Sequence, residues 1–172
     1  MPGRTIETLA VATTSVFAGG ALLTQTVIVP GWRAMDPTAF LARFPVAGPV
    51  TGATAFPFEV ASVLLLGAAT YSAVRNSRPG RFAWALATSA MVATLILVPL
   101  YFLDANLALL DPTFPPDAVP AALAAWYRWN WIRTGLGLTA AALACAALIA
   151  DSGEHPAGSI SRCSVTAWSA TG

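Results

Sequence analysis

The chain has 172 residues, of which 56% are hydrophobic and only 10% charged, and its mean hydropathy is +0.67. Soluble domains carry about 25% charged residues, so this chain lacks the polar surface to coat a water-soluble globule. Nine basic against eight acidic residues leave net +1 with no basic stripe, which excludes a nucleic-acid partner.

Four stretches reach the roughly 20 apolar residues that a membrane span needs. The first runs over 8–29, carries no charge, and is too long for a typical signal-peptide core, which predicts a retained span. In the loop 30–51 that follows, Asp36-Pro37 reads as a helix N-cap with proline at the first helical position. Phe40, Leu41 and Phe44 then fall at helical spacing, and Pro45, Gly48 and Pro49 are expected to stop the turn, giving a short amphipathic helix at 37–44. The second span, 54–74, contains Glu59. A short loop, 75–81, holds Arg75, Arg78 and Arg81. The third span, 82–103, has Pro99 near its end. In loop 104–128, Pro112, Pro115 and Pro116 break the chain; Asp117 with Pro120 can then start a helix that nothing interrupts before Ala150. That helix contains the fourth span, 131–150, with Arg133 inside it. The tail 151–172 is rich in Ser, Gly and Thr and reads as disordered.

These elements predict an all-α protein, an integral membrane antiparallel four-helix bundle over 1–150 with two structured outer loops. The three arginines of 75–81 and Arg4 fall on one side, so the positive-inside rule places that loop and both termini in the cytoplasm of a multi-pass cell-membrane protein. Trp32, Tyr101, Trp126, Tyr127, Trp129 and Trp131 collect at the opposite ends, as an interfacial belt would.

Polar residues inside a span are costly, and each calls for a reason. At 1.5 Å per residue from the arginine-rich side, Gln25, Glu59, Tyr101 and Arg133 reach heights of about 24, 23, 29 and 26 Å. All four helices therefore deliver a polar group to one layer, the outer third of the bundle. Trp126, Asn130, Arg133 and Gly137 share a helix face, and so do Ala18, Ala21, Gln25 and Trp32. The run Ala18-Gly19-Gly20-Ala21 allows close approach of a neighbouring backbone. The single histidine, His155, cannot build a zinc triad, a di-iron site or a bis-His haem, so no metal or other cofactor is expected. Cys145 reads as a small hydrophobe and Cys163 as a free thiol in the tail.

Each polar group also has a structural reading. Glu59 and Arg133 can be an ion pair that staples two helices, or a carboxylate base with a guanidinium anchor. Asn130 and Gln25 can be interhelical glue. The tryptophans and the tyrosines Tyr101 and Tyr127 can be belt residues.

The fourth span begins Arg128-Trp-Asn130-Trp-Ile-Arg133-Thr134 and continues Gly-Leu-Gly-Leu; the first has a Gly-Gly break followed by a polar patch and Trp32-Arg33. Over about residues 5–150 this resembles the anthrone-oxygenase-like family of small four-helix membrane proteins. The resemblance implies a cofactor-free oxidation of polyketide anthrones to anthraquinones and maps Asn130 and Arg133 onto the site. An anthrone carries a C–H acidified by its carbonyl, and its enolate can pass an electron to dioxygen unaided. A protein then needs a base, oxyanion donors and a dry pocket. The expected roles are Glu59 as base, Arg133 and Asn130 as oxyanion donors, and Gln25, Trp32, Tyr101, Trp126 and Tyr127 around a hydrophobic aromatic small molecule. Membrane lipids are the expected surroundings, and the Gly19-Gly20 patch leaves a homo-oligomer open. The alternatives are a non-catalytic membrane subunit, a hydrophobic-ligand-binding protein, or an enzyme acting on lipids or quinones.

Overall fold

The computed structural model describes residues 2–153. They form four long helices, each long and apolar enough to cross a membrane: α1 (Arg4–Arg33), α2 (Pro37–Arg75), α3 (Arg81–Leu110) and α4 (Pro116–Ser152). No strand occurs among the described residues. The connections are short, at 34–36, 76–80 and 111–115. Each helix packs against two neighbours, α1 and α3 each lying against α2 and α4.

The buried positions of α4 explain the packing. Leu123, Trp126, Asn130, Thr134, Gly137, Ala140, Ala144 and Ala147 recur every three or four residues, which puts one stripe on the inside. In α2 the same rhythm runs through Phe40 and Phe44, then resumes at Glu59, Ser62, Leu66, Ala69 and Ala73. Between Phe44 and Glu59 the stripe positions hold Gly48, Thr51, Gly52 and Ala55, which have too little volume to fill the interior. That run of small residues walls the cavity described below.

The interior has two parts. Alanines from α1 to α4 pack around Trp84, Met91, Leu66 and Phe17 in one half, where small side chains let the helices approach closely. Aromatic and branched side chains fill the other: Trp32, Phe40, Phe44, Phe102, Trp126, Val29, Leu97, Leu109, Val119 and Leu123.

Prolines shape the second half. Pro30 and Pro99 each lack an N–H and free the carbonyl four residues earlier, and the adjacent turns Thr24–Ile28 and Val98–Phe102 widen to π-helical geometry. Each π turn carries one buried side chain, Gln25 and Phe102 respectively. In α2 the N-cap expectation is met: Asp36 accepts from the backbone N–H of Thr38 at 2.9 Å and of Ala39 at 3.2 Å, with Pro37 next. The expected stop is not found. Pro45, Gly48 and Pro49 sit inside one unbroken helix from Pro37 to Arg75, so the short helix at 37–44 and a separate span from 54 are corrected to a single rod. Pro45, Pro49 and Pro57 are all exposed, so their rings sit outside the packing stripe. A helix that keeps its other bonds and its buried face tolerates them there.

Loop 104–128 is broken where its prolines predict. α3 continues to Leu110, and residues 111–115 turn around Asp111, which accepts from the Thr113 backbone N–H at 2.8 Å and from its hydroxyl at 2.7 Å. Those bonds hold the Asp111 carboxyl below its ordinary range. A short 3-10 turn over Pro116–Ala118 then opens α4. Asp151 and Ser152 belong to that helix rather than to a tail. The expected disordered tail, with His155 and Cys163, otherwise lies outside the described residues.

Candidate functional site

Polar side chains gather in two places, beside the aromatic half and at the far end of the alanine half. In the aromatic half, α2 brings Glu59 and α4 brings Arg133 together. Arg133 donates through Nη2 to Glu59 Oε2 at 2.5 Å and through Nε to Oε1 at 3.3 Å, a two-pronged fork. Glu59 is wholly buried, and the Arg133 side chain is 15% exposed. The guanidinium lies over the rings of Phe17 at 5.1 Å and Phe102 at 5.5 Å. Two aromatic faces and one carboxylate thus hold Arg133 in place. Its Nη1 meets no acceptor among the described residues.

One turn along the same face, Asn130 donates through Nδ2 to Gln25 Oε1 at 2.6 Å. Gln25 Nε2 in turn donates to the backbone carbonyl of Tyr127 at 3.3 Å. Both amides are buried, and Asn130 Oδ1 has no hydrogen-bond partner. Thr134 donates to the Ala21 carbonyl at 3.3 Å and ties α4 to α1 below the amides.

These groups flank a cavity of about 340 Å³. Asn130, Arg133 and Asn106, with Thr24 and Thr51, supply its polar lining, and Phe17, Trp32, Phe44, Phe102 and Trp126 line it with aromatic surface. Trp32 and Trp126 meet edge to face at 6.0 Å, and Trp126 Nε1 donates to Asn106 Oδ1 at 3.1 Å, so the Trp126 ring is braced on two sides. Gly52 and Phe56 line the cavity and are exposed, which puts its mouth on α2.

Of the residues singled out from sequence, Arg133, Asn130, Trp32 and Trp126 line the cavity. Glu59 and Gln25 do not; each stands one layer behind, fully buried, as the partner of a lining residue. Tyr101 stacks on Trp129 at 5.1 Å and 22°. The Tyr127 ring lies under the Arg33 guanidinium at 4.9 Å. Neither tyrosine ring reaches the cavity wall. Phe17, Phe44, Phe102 and Asn106 were missed. Phe17 is the one whose signal was visible, since it lies on the face of α1 that carries Ala21 and Gln25.

A second polar cluster, at the other end of the molecule, was missed altogether. Glu7 of α1 is 2% exposed and pairs with Arg78 of the 76–80 turn. Asp151 of α4 lies 3.4 Å from the same Arg78 nitrogen, accepts from the Gly80 backbone N–H at 2.8 Å, and accepts from Trp84 Nε1 at 3.0 Å. The cluster ties the start of α1, the α2–α3 turn and the end of α4 to one another. None of its residues lines the cavity described above, and its contacts are those of a staple.

No group of three or more metal-ligating side chains gathers among the described residues. Comparison with protein-family models, with curated proteins and with solved structures finds no match for this chain.

Proposed function

We propose that the four helices lie in a membrane as an antiparallel bundle with both termini cytoplasmic, and that the aromatic cavity binds a flat, oxygen-bearing hydrophobic molecule. The arginine content of the α2–α3 turn supports that orientation. An apolar mouth on α2 suits a ligand that partitions into the bilayer and enters sideways.

The observation that carries this reading is the Arg133–Glu59 fork at the wall of the cavity. The pair is net neutral, so the site does not call for a ligand with a fixed negative charge. It suits a ligand carbonyl that accepts from Arg133 Nη1 and gains negative charge during reaction. The activity that uses this arrangement is a cofactor-free oxidation of an anthrone-like ring. The C–H bond of the ring carbon opposite the carbonyl, acidified by conjugation with it, breaks, and Arg133 stabilises the enolate. The enolate gives one electron to dioxygen, and the resulting radical and superoxide combine to a hydroperoxide. Loss of water then leaves a quinone carbonyl. Glu59 is not the base in this scheme: a base must reach the proton it takes, and both Glu59 oxygens are held by Arg133 behind the wall. The proton passes to a water molecule held in the cavity and returns to the peroxide anion formed on recombination, and Glu59 acts by positioning and neutralising Arg133.

The absence of any carboxylate or imidazole among the described lining residues favours a second reading, a protein that binds such a ring without converting it. Dioxygen uptake separates the two. Purified protein in detergent, given anthrone and no flavin or metal, is expected to consume dioxygen above the spontaneous rate and to lose most of that rate in Arg133→Lys, whose ammonium cannot keep the fork. Saturable binding with no uptake above background selects the second reading.

A further inference from the structure

We infer that Asn130 reads a hydroxyl on the ligand through its side-chain carbonyl, and that Gln25 decides which end of the Asn130 amide is free to do so. This rests on the cavity being a ring-binding site.

The orientation of both amides is fixed by a backbone group. The Tyr127 carbonyl can only accept, so the nitrogen end of Gln25 must face it. That turns Gln25 Oε1 toward Asn130, and an oxygen there can only accept, so Asn130 must present Nδ2. The donor end of Asn130 is thereby committed to Gln25, and Oδ1 is left without a partner. Asn130 is 1% exposed and lines the cavity. A buried acceptor with no donor is costly, and buried polar groups in native proteins are almost always satisfied. Asn130 therefore does not serve as the oxyanion donor expected from sequence; the partner it lacks is an O–H or N–H.

Arg133 lies three residues further on the same helix face, so the two groups stand about 5–6 Å apart at Cβ. One offers N–H from Nη1 and the other a lone pair from Oδ1. The ligand that satisfies both carries a carbonyl for Arg133 and, a few ångströms away on the same ring system, a hydroxyl for Asn130. Of the aromatic side chains around it, Phe17, Phe44 and Phe102 carry no donor, and Trp126 directs its indole N–H to Asn106. Gln25 is a positioning residue that touches no ligand.

The test is the affinity of the purified protein for anthraquinone, for 1- and 2-hydroxyanthraquinone, and for the matching methyl ethers, in wild type, Gln25→Met and Asn130→Leu. The expected wild-type result is that one hydroxy compound binds at least tenfold more tightly than its ether and than the unsubstituted parent. Gln25→Met leaves every lining residue in place but frees the Asn130 amide to turn, so the hydroxyl preference is expected to collapse to within about threefold while the parent still binds. Asn130→Leu is expected to do the same. If Asn130→Leu does not fold, Gln25→Met alone decides. Equal binding of hydroxyl, ether and parent in wild type overturns this inference and leaves the ring-binding reading standing, with water as the donor to Oδ1. An unchanged preference in Gln25→Met also overturns it. Failure of all five compounds to bind overturns the ring-binding reading, and this inference with it.

Discussion

Arg133 is the residue on which the site turns, and its energetics are those of a buried pair. Removing one partner leaves an uncompensated charge in a low-dielectric interior. Arg133→Leu or Glu59→Leu alone is expected to lower stability by about 3–5 kcal/mol, and the double variant by less than either, measured by denaturant unfolding in detergent. A double variant as unstable as the sum would show that the two do not act as a pair. Glu59→Gln separates positioning from base catalysis. Its amide oxygen still accepts from Arg133, so turnover should slow far less than in Arg133→Lys. A Glu59→Gln protein that binds ring compounds normally but is catalytically silent would return Glu59 to the role of base. At this scale the sequence was informative about height and poor about surfaces. Counting heights along helices put Gln25, Glu59 and Arg133 in one layer, because height is set by helix rise, but it did not pair Gln25 with Asn130. Which member faces the cavity depends on side-chain direction and on what stands in front, and so Glu59, Gln25, Tyr101 and Tyr127 were misplaced. Glu7 escaped notice because it lies just before the first uncharged run, and Asp151 because it follows the last.

The elements carry their own tests. At the end of α2 the backbone N–H of Ser77 bonds to the Val74 carbonyl at 3.1 Å and that of Arg78 to the Ala73 carbonyl at 2.9 Å. This is the Schellman pattern, and Ser77 occupies its left-handed position with φ of 51°. Glycine suits that conformation better, so Ser77→Gly should raise stability by roughly 0.5–1 kcal/mol, read as a shift in the unfolding midpoint. Three residues on, the opposite holds. A Cβ at Gly80 would stand 2.6 Å from the Ala147 carbonyl oxygen and 2.8 Å from Asp151 Oδ1. Gly80→Ala must push α3 away from α4 and should cost about 1–3 kcal/mol. If Gly80→Ala were neutral, the close approach of those two helices would be wrong. The unbroken α2 was the element least legible in advance. Proline and glycine signals at 45–49 are stop signals in water, where a freed carbonyl finds solvent and the chain can turn. They lose that force when the rest of the helix has a buried stripe to keep in register.

For the whole molecule, the division into a close-packed alanine half and an aromatic half with a cavity follows from where α2 runs short of volume. The staple of Glu7, Arg78 and Asp151 closes the first half and brings the start of α1, the α2–α3 turn and the end of α4 together. In cells, with Cys145 and Cys163 replaced by serine, Asn76→Cys is expected to be shielded from a membrane-impermeant maleimide and Thr113→Cys to react. The reverse pattern would invert the proposed orientation. The central claim is that the cavity is a ring-binding site whose space is set by small residues of α2. A Cβ at Gly52 meets no atom within 4 Å, so Gly52→Leu can fill the cavity without straining the fold. The direct measurement is quenching of tryptophan fluorescence by anthraquinone in wild type and Gly52→Leu, since Trp32 and Trp126 stand in the wall. The account predicts saturable quenching in wild type that Gly52→Leu abolishes while its unfolding midpoint stays near the wild-type value; equal saturable quenching in both proteins would contradict it.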